Sequence, residues 1–258
     1  MRIFDSHAHL DSKRFDEDRQ QLLLDLPALE VTGVVNASVN VDNAKAVLAL
    51  CEKAAYLYAA VGIYPHETHL AKTGDLEELE KLASHPKAVA IGEIGLDYYW
   101  DQSPKEVQKK WFIEQLRLAK RLNMPVNIHC RDAHGDMVEI LKTEQDGHLK
   151  GILHSFSGSV EVMEEYLKLG FYISIPGTVT FKNAKKVKEA AIQVPLDRLL
   201  VETDAPYQTP EPFRGKRNDP AKVRFIIQEI ARLRGLDPIE IGRITDENAR
   251  RIYGIEEK

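Results

Sequence analysis

Five short apolar runs in this chain each close on a histidine or an acid, and no other feature limits the available folds as strongly. His7 and His9 follow Ile3-Phe4-Asp5-Ser6, Glu93 closes Ala88–Gly92, His129 closes Val126–Ile128, His154 closes Gly151–Leu153, and Asp204 closes Leu199–Thr203. Imidazole and carboxylate groups bind divalent metals. Side chains so far apart in sequence converge only if the runs are parallel strands sharing one C-terminal rim. That is the geometry of a (β/α)8 TIM barrel, whose active sites lie at the C-terminal ends of its strands.

The rest of the chain fits this α/β alternation. Besides the first run, strands are expected at Val31 to Val39, Tyr56 to Ile63, Ala88 to Glu93, Pro125 to His129, Gly151 to His154, Phe171 to Ile175 and Leu199 to Asp204. They are short, rich in Val, Ile and Ala, and mostly continuous in hydrophobicity, as parallel strands covered on both faces should be. Helical signals lie between them. Ser103-Pro104 with Glu106 reads as a helix cap, a first-position proline and a capping-box acid, followed by a stripe of Val107, Trp111, Leu118 and Leu122 with Ile113 and Leu116 beside it. Asp219-Pro220 and Asp237-Pro238 repeat the cap-then-proline signal, while Gly170, Gly235 and Gly254 stand where helices should end. The Lys182, Lys185, Lys186 and Lys188 run reads as an exposed helix face.

Composition narrows the class. At 258 residues with 43% hydrophobic content, residues 1–258 are expected to form a single domain, since such barrels use about 250 residues. The net charge of -5 argues against a surface built to wrap duplex DNA, so any nucleic-acid contact should be local. The segment Met1-Arg2-Ile3-Phe4-Asp5 lacks the apolar centre of a signal peptide, and no apolar stretch approaches the roughly 18 residues of a membrane span, so a cytoplasmic location is expected. Cys51 and Cys130 lack the spacing of a disulfide framework and read as free thiols.

Each candidate ligand is weak evidence alone. Strand alternation puts His7 and His9 on one face, but such a pair can equally be core or surface histidine, Glu93 can be a salt-bridged acid, and His129 and His154 can be rim histidines without a ligand role. The ordered set, on strands one, four, five, six and eight, is hard to obtain without a metal. Of the other histidines, His85, His134 and His148 read as solvated and His69 as structural. His66 follows strand three and is a candidate substrate contact.

The stretches Phe4-Asp5-Ser6-His7-Ala8-His9-Leu10, Gly62-Ile63-Tyr64-Pro65-His66, Gly92-Glu93-Ile94-Gly95-Leu96-Asp97-Tyr98, Ile128-His129-Cys130-Arg131-Asp132, His154-Ser155-Phe156-Ser157-Gly158, Glu202-Thr203-Asp204-Ala205-Pro206 and Phe213-Arg214-Gly215-Lys216-Arg217-Asn218 carry a resemblance to a known family. With them the chain resembles, along almost its whole length, the TatD family of metal-dependent deoxyribonucleases. Two departures stand out: Tyr64 where that family often has the first histidine of a His-Pro-His loop, and Cys130 where it often has serine. Neither removes a metal ligand, though Tyr64 bears on substrate preference. The resemblance implies two divalent ions, one held by His7, His9, Glu93 and Asp204 and the other by Glu93, His129 and His154, with Glu93 bridging. Mixed imidazole and carboxylate ligands are compatible with magnesium, manganese, zinc or nickel. Related barrels bridged by a carboxylated lysine would need Lys at position 93, which disfavours a phosphotriesterase-like or dihydroorotase-like reading.

Two such ions would acidify a water and offset charge on a phosphoryl group. The expected catalytic residues are Asp204 as general base, Glu93 as bridge, and Glu202, two residues before Asp204 on the same face, with Asp5 as another acid able to orient a ligand. Ser157 and Gly158, opening a helix over Val160 to Leu169, together with Arg131 and Arg214, Lys216 and Arg217, are candidate phosphate contacts. Tyr98, Tyr99, Trp100 and Phe156 are candidates for stacking on bases. The expected activity is hydrolysis of DNA phosphodiesters, in single strands or at chain ends, with no membrane and no obligate protein partner. Hydrolysis of another ester or amide, such as an aminoacyl ester on tRNA, is the alternative enzyme. A non-catalytic nucleic-acid-binding protein is the alternative of another class, disfavoured because binding has no need of six convergent ligands.

Overall fold

The computed structural model describes residues 1–100 and 102–256; Asp101 and the last two residues of the expected 1–258 domain, Glu257 and Lys258, lie outside the described residues. The eight apolar runs form strands β1 (Ile3–Ala8), β2 (Val31–Ala37), β3 (Leu57–Val61), β4 (Ala88–Asp97), β5 (Val126–Arg131), β6 (Gly151–Leu153), β7 (Tyr172–Ile175) and β8 (Leu199–Val201). All neighbouring pairs are parallel, in the order β1 to β8. The seam between β8 and β1 is closed beyond the end of β8, where Asp204 N donates to His7 O at 3.0 Å and His9 N to Ala205 O at 2.7 Å. Lower down, Ser6 Oγ donates to Val201 O at 3.0 Å. The result is a (β/α)8 TIM barrel with the expected ligand-bearing ends on one rim.

Helices α1 (Arg19–Asp25), α2 (Val41–Cys51), α3 (Asp75–Ala83), α4 (Lys105–Arg121), α5 (His134–Glu144), α6 (Val160–Lys168), α7 (Lys185–Gln193) and α8 (Val223–Arg234) follow the strands in turn, and α9 (Pro238–Tyr253) ends the described fold. The main apolar core lies between sheet and helices. A smaller cluster, including Phe4, Val35, Ala60, Ile152, Tyr172 and Leu200, takes residues from the strands and is joined by Ala249, Ile252 and Tyr253 of α9. Period-two alternation explains the two sets, because successive strand residues face opposite sides. The caps behave as the sequence implies at Asp219 and Asp237, whose side chains accept from Ala221 N and Ile239 N. Gly235 and Gly254 end their helices in the left-handed conformation.

Three local expectations need correction. Ser103 does not cap α4, whose first turn shows no side-chain cap; its hydroxyl instead pairs with Thr68 Oγ1 at 2.6 Å. The buried face of α4 runs through Gln108, Phe112, Gln115, Leu116, Leu118 and Ala119, so Leu116 and Leu118 are buried as expected, while Val107, Trp111, Ile113 and Leu122 are only partly buried. Its two glutamines bind strand ends: Gln108 accepts from Asp97 N at 2.9 Å and donates to Asp97 O at 3.0 Å, and Gln115 does the same for Ile63 at 2.7 and 3.1 Å. His134 is not solvated, since Nδ1 lies 2.9 Å from Tyr166 Oη and 3.3 Å from Cys130 Sγ.

Candidate metal centre

β4 does not stop at Glu93 but continues to Asp97, and its ladder with β5 shifts register between Gly92 and Ile94. Glu93 is therefore the extra residue of a β-bulge, a device that re-aims a side chain beside active sites. β1 carries a similar register shift between Asp5 and Ala8, around His7. The close approach of β4 to β5 demands glycine at position 95, where φ is +144° and a Cβ would sit 1.9 Å from His129 O.

From these bulges and strand ends, six side chains meet in two groups. His7 Nε2 and His9 Nε2 are 3.1 Å apart, 3.4 and 3.3 Å from Glu93 Oε2, and 3.7 and 3.6 Å from Asp204 Oδ1. On the other side, His129 Nδ1 and His154 Nε2 are 3.2 Å apart and 3.0 and 2.8 Å from Glu93 Oε1. Glu93 thus turns one oxygen to each group.

The opposite ring nitrogens are all engaged. His7 Nδ1 lies 3.0 Å from Asn127 Oδ1, His9 Nδ1 3.0 Å from Ala37 O, His129 Nε2 3.0 Å from Asp97 Oδ2, and His154 Nδ1 3.3 Å from Glu202 Oε1. Each partner offers an acceptor, so a neutral ring here keeps its proton on the outer nitrogen and presents a lone pair inward. Paired lone pairs at hydrogen-bond distance are repulsive unless a cation or proton lies between them, and acceptors behind the rings are the usual support of metal-bound histidine. The donor set therefore fits divalent metal.

The cluster's electrostatics agree. Burial opposes ionisation of Glu93, yet His154, His7 and His129 hold its carboxyl well below the usual range. Burial pushes the His9 imidazole down, but Glu93 and Asp204 outweigh it and lift it to about 9. Burial likewise opposes charge on His154, which Glu93 and Glu202 carry well above the usual value. A metal entering this site must displace protons.

Asp204 sits in a left-handed conformation at φ 55°, and its second oxygen accepts from Gln208 Nε2 at 2.7 Å. Such strain in a non-glycine residue is often found at functional sites. Glu202 is fully buried behind His154 and does not line the cavity; Oε1 also accepts from Ser155 N at 2.7 Å, and Oε2 has no hydrogen-bond partner among the described residues. Glu202 therefore stands behind His154, where it can orient that ring as the sequence reading allowed, and not on the cavity wall where a group acting on substrate would be. Asp5 accepts from Thr203 N and Oγ1 and from the backbone N of His7, and so ties β1 to the end of β8.

A cavity of about 840 Å³ opens over the cluster, and Arg131 and Ser157 line it. Other expected substrate contacts do not. His66 Nε2 is 3.2 Å from Asp97 Oδ2, in the shell behind His129. Gly158 is buried against Phe156 and His134, and the helix is capped by Ser159 instead. Arg214 stacks on Phe181 at 4.4 Å, and Arg217 pairs with Asp18 at 2.6 Å. Phe156 is buried and Tyr98 donates to Asp136 at 2.7 Å, which leaves Tyr99 and Trp100 as the exposed aromatics of that list. Tyr64, from the departure noted above, lines the cavity with its hydroxyl 3.3 Å from both Asp97 Oδ2 and His129 Nε2.

Sequence reading passed over Asp97, Asn127 and Gln208. The first two carried a usable signal: Asp97 lies four residues after Glu93 and Asn127 two before His129, even spacings that favour one strand face. Gln208 had none, because its reach to Asp204 depends on a turn.

Fold and site together define a metal-dependent hydrolase barrel. The chain belongs to the TatD-related DNase family, whose model matches residues 4–254. It is 44% identical to the metal-dependent hydrolase YabD of Bacillus subtilis, over 98% of this chain and 99% of that one. It is 34% identical to the 3'-5' ssDNA/RNA exonuclease TatD of Escherichia fergusonii, again over 98% and 99%. Among solved structures, the TatD homologue YjjV of Escherichia coli superposes with a TM-score of 0.92 at 32% identity, covering 98% of each chain. No helix among the described residues is long and apolar enough to cross a membrane.

Proposed function

We propose that this chain hydrolyses phosphodiester bonds at the ends of single-stranded DNA, as one domain spanning residues 1–258 in the cytoplasm, with two divalent ions held by the six clustered side chains. The observation that carries the reading is Glu93, whose two oxygens face separate groups of nitrogen donors. His7, His9 and Asp204 would complete one site and His129 and His154 the other. Ions bound there supply a nucleophile at neutral pH by acidifying water, and offset the charge that develops on phosphorus.

The protein's own groups do the rest. Asp204 is the general base: its Oδ1 faces the cluster while Gln208 holds Oδ2, so the carboxylate is oriented to accept a proton from water. Arg131 and Ser157 meet the phosphate on the cavity wall. Asp97, Asn127, Glu202 and Ala37 O keep the four imidazoles in the tautomer that points lone pairs inward. The recessed cluster favours a free single-stranded end, since an interior phosphate of a duplex would reach it only after bending or opening. The activity in the name of the Escherichia fergusonii relative supports the same substrate class.

The test is nucleotide release from 5'- and 3'-labelled single-stranded DNA, duplex DNA, closed circular DNA and RNA, alongside deacylation of aminoacyl-tRNA, each with magnesium, manganese, zinc and nickel. Stepwise release from single-stranded ends is expected. Rapid nicking of closed circles, or deacylation without nucleotide release, would overturn the proposal.

A further inference from the structure

Eight large apolar side chains are substantially exposed among the described residues, and the three aromatic ones all lie in loops at the catalytic rim: Tyr99, Trp100 and Tyr207, at 55%, 49% and 51%. Aromatic rings left half in water carry an apolar face with nothing covering it. Trp100 and Tyr207 both line the cavity. They come from the loops after β4 and β8, and in a sequential eight-stranded barrel these strands are as far apart as the ring allows. The two rings therefore stand on opposite walls. Tyr207 is on the side of the first donor group, its ring 6.4 Å from that of His9. Trp100 is on the side of the second, beside Arg131, which lies two residues past His129.

Each wall also has an arginine. The Arg131 guanidinium lies 3.8 Å from the Tyr99 ring centre and 5.8 Å from that of Trp100, and Arg14 lies 5.7 Å from Tyr207. Both arginines are exposed, and neither has a carboxylate partner among the described residues, unlike Arg217 with Asp18. Arg14 Nη1 donates to Pro206 O at 3.4 Å, which leaves its charge unneutralised, and an exposed aromatic beside such a cation is the combination by which single-stranded nucleic acid is held, stacking for the base and charge for its phosphate.

We propose that the two aromatic and arginine pairs clamp the nucleobases on either side of the scissile phosphate, one base on Trp100 and the other on Tyr207, with Arg131 and Arg14 against the flanking phosphates. This rests on the nucleic-acid reading above and adds which residues grip the bases. Every base has a π face, so the clamp tolerates all four, but it requires two unpaired neighbours and excludes a duplex whose bases are stacked and paired.

The metal-loaded protein is titrated with a thymidine pentamer carrying phosphorothioate linkages, and with an abasic pentamer of the same backbone. Trp111→Phe leaves Trp100 as the single tryptophan, so its fluorescence reports stacking directly. Quenching by the thymidine oligomer and not by the abasic one is expected. Trp100→Ala and Tyr207→Ala should each weaken thymidine-oligomer binding on the order of tenfold while narrowing the preference over the abasic oligomer. Trp100→Phe, which keeps a ring, should restore most of it. Binding of both oligomers with equal affinity and no quenching would overturn the clamp alone. Failure to bind either oligomer would overturn it together with the nucleic-acid reading.

Discussion

Glu93→Ala separates a bridging carboxylate from an ordinary ligand, because the donor counts on its two sides differ. Removing Glu93 leaves three donors in one group, His7, His9 and Asp204, but only His129 and His154 in the other. Three protein ligands suffice for a catalytic metal site, and two rarely do. Metal content should therefore fall from about two ions per chain to about one. His9→Ala is the control: it leaves His7, Glu93 and Asp204 on one side and an intact set on the other, so both ions should remain, the first more weakly bound. Activity in Glu93→Ala should drop by more than the roughly 10- to 100-fold that loss of an outer support costs. Elemental analysis after metal loading and desalting, with circular dichroism to verify folding, gives the answer. Equal stoichiometry in Glu93→Ala and wild type would remove the bridge, and equal loss in both variants would show that the two groups are not independent sites.

Three other outcomes are expected. Asp204→Asn keeps an oxygen toward the cluster but loses basicity, so turnover at saturating metal should fall on the order of 10² to 10⁴-fold with little change in melting temperature; near-normal turnover would move the base elsewhere. Glu202→Gln keeps an acceptor for Ser155 N and His154 Nδ1 but removes a buried charge, so metal affinity should fall roughly 10- to 100-fold while metal content at saturation is preserved; unchanged affinity would remove its positioning role. In metal-free protein the raised imidazole of His9 stabilises the fold fully below its ordinary 6.5, and that contribution is lost as pH rises through about 9. The depressed Glu93 carboxyl contributes above its ordinary 4.5 and loses that contribution as pH falls further. Melting temperature in chelator should accordingly decline from pH 6.5 to 9, and a flat profile would show that the cluster does not gather protons when the metal is gone.

The barrel was legible because its strands are hydrophobic on both faces and punctuated by capped helices, so each apolar run declared its type without tertiary information. The candidate ligands were legible for a related reason: a polar residue closing such a run has few places to go except the rim. What escaped were features decided by contacts between elements. Gln108 and Gln115 carried no signal in the sequence, yet they are buried because their amides bond the backbone of Asp97 and Ile63, which belong to other elements. His134 looked solvated because its partners, Tyr166 and Cys130, belong to other elements. Glu93 was placed at a strand terminus, whereas it is a bulge in mid-strand, and no local pattern announces a register shift. His66 was credited to the substrate surface from its place after a strand, Gly158 from an expected helix start and Arg214 from its charge in a rim loop, none of which fixes what the residue packs against.

The support behind His7 has a consequence for how the site comes into being. Asn127, which faces His7 Nδ1, donates to Tyr253 Oη at 3.1 Å, and Tyr253 in turn donates to Ser6 O at 2.9 Å. A residue from the first strand, one from the fifth and one from the last helix thus form a single chain of contacts beneath the cluster. A partial barrel lacking α9 can present the sequence of every ligand without fixing which nitrogen of His7 carries the proton. The orientation of His7 thus depends on the docking of the last helix as well as on the strands that carry the ligands, and a change at Tyr253 should be felt at the cluster.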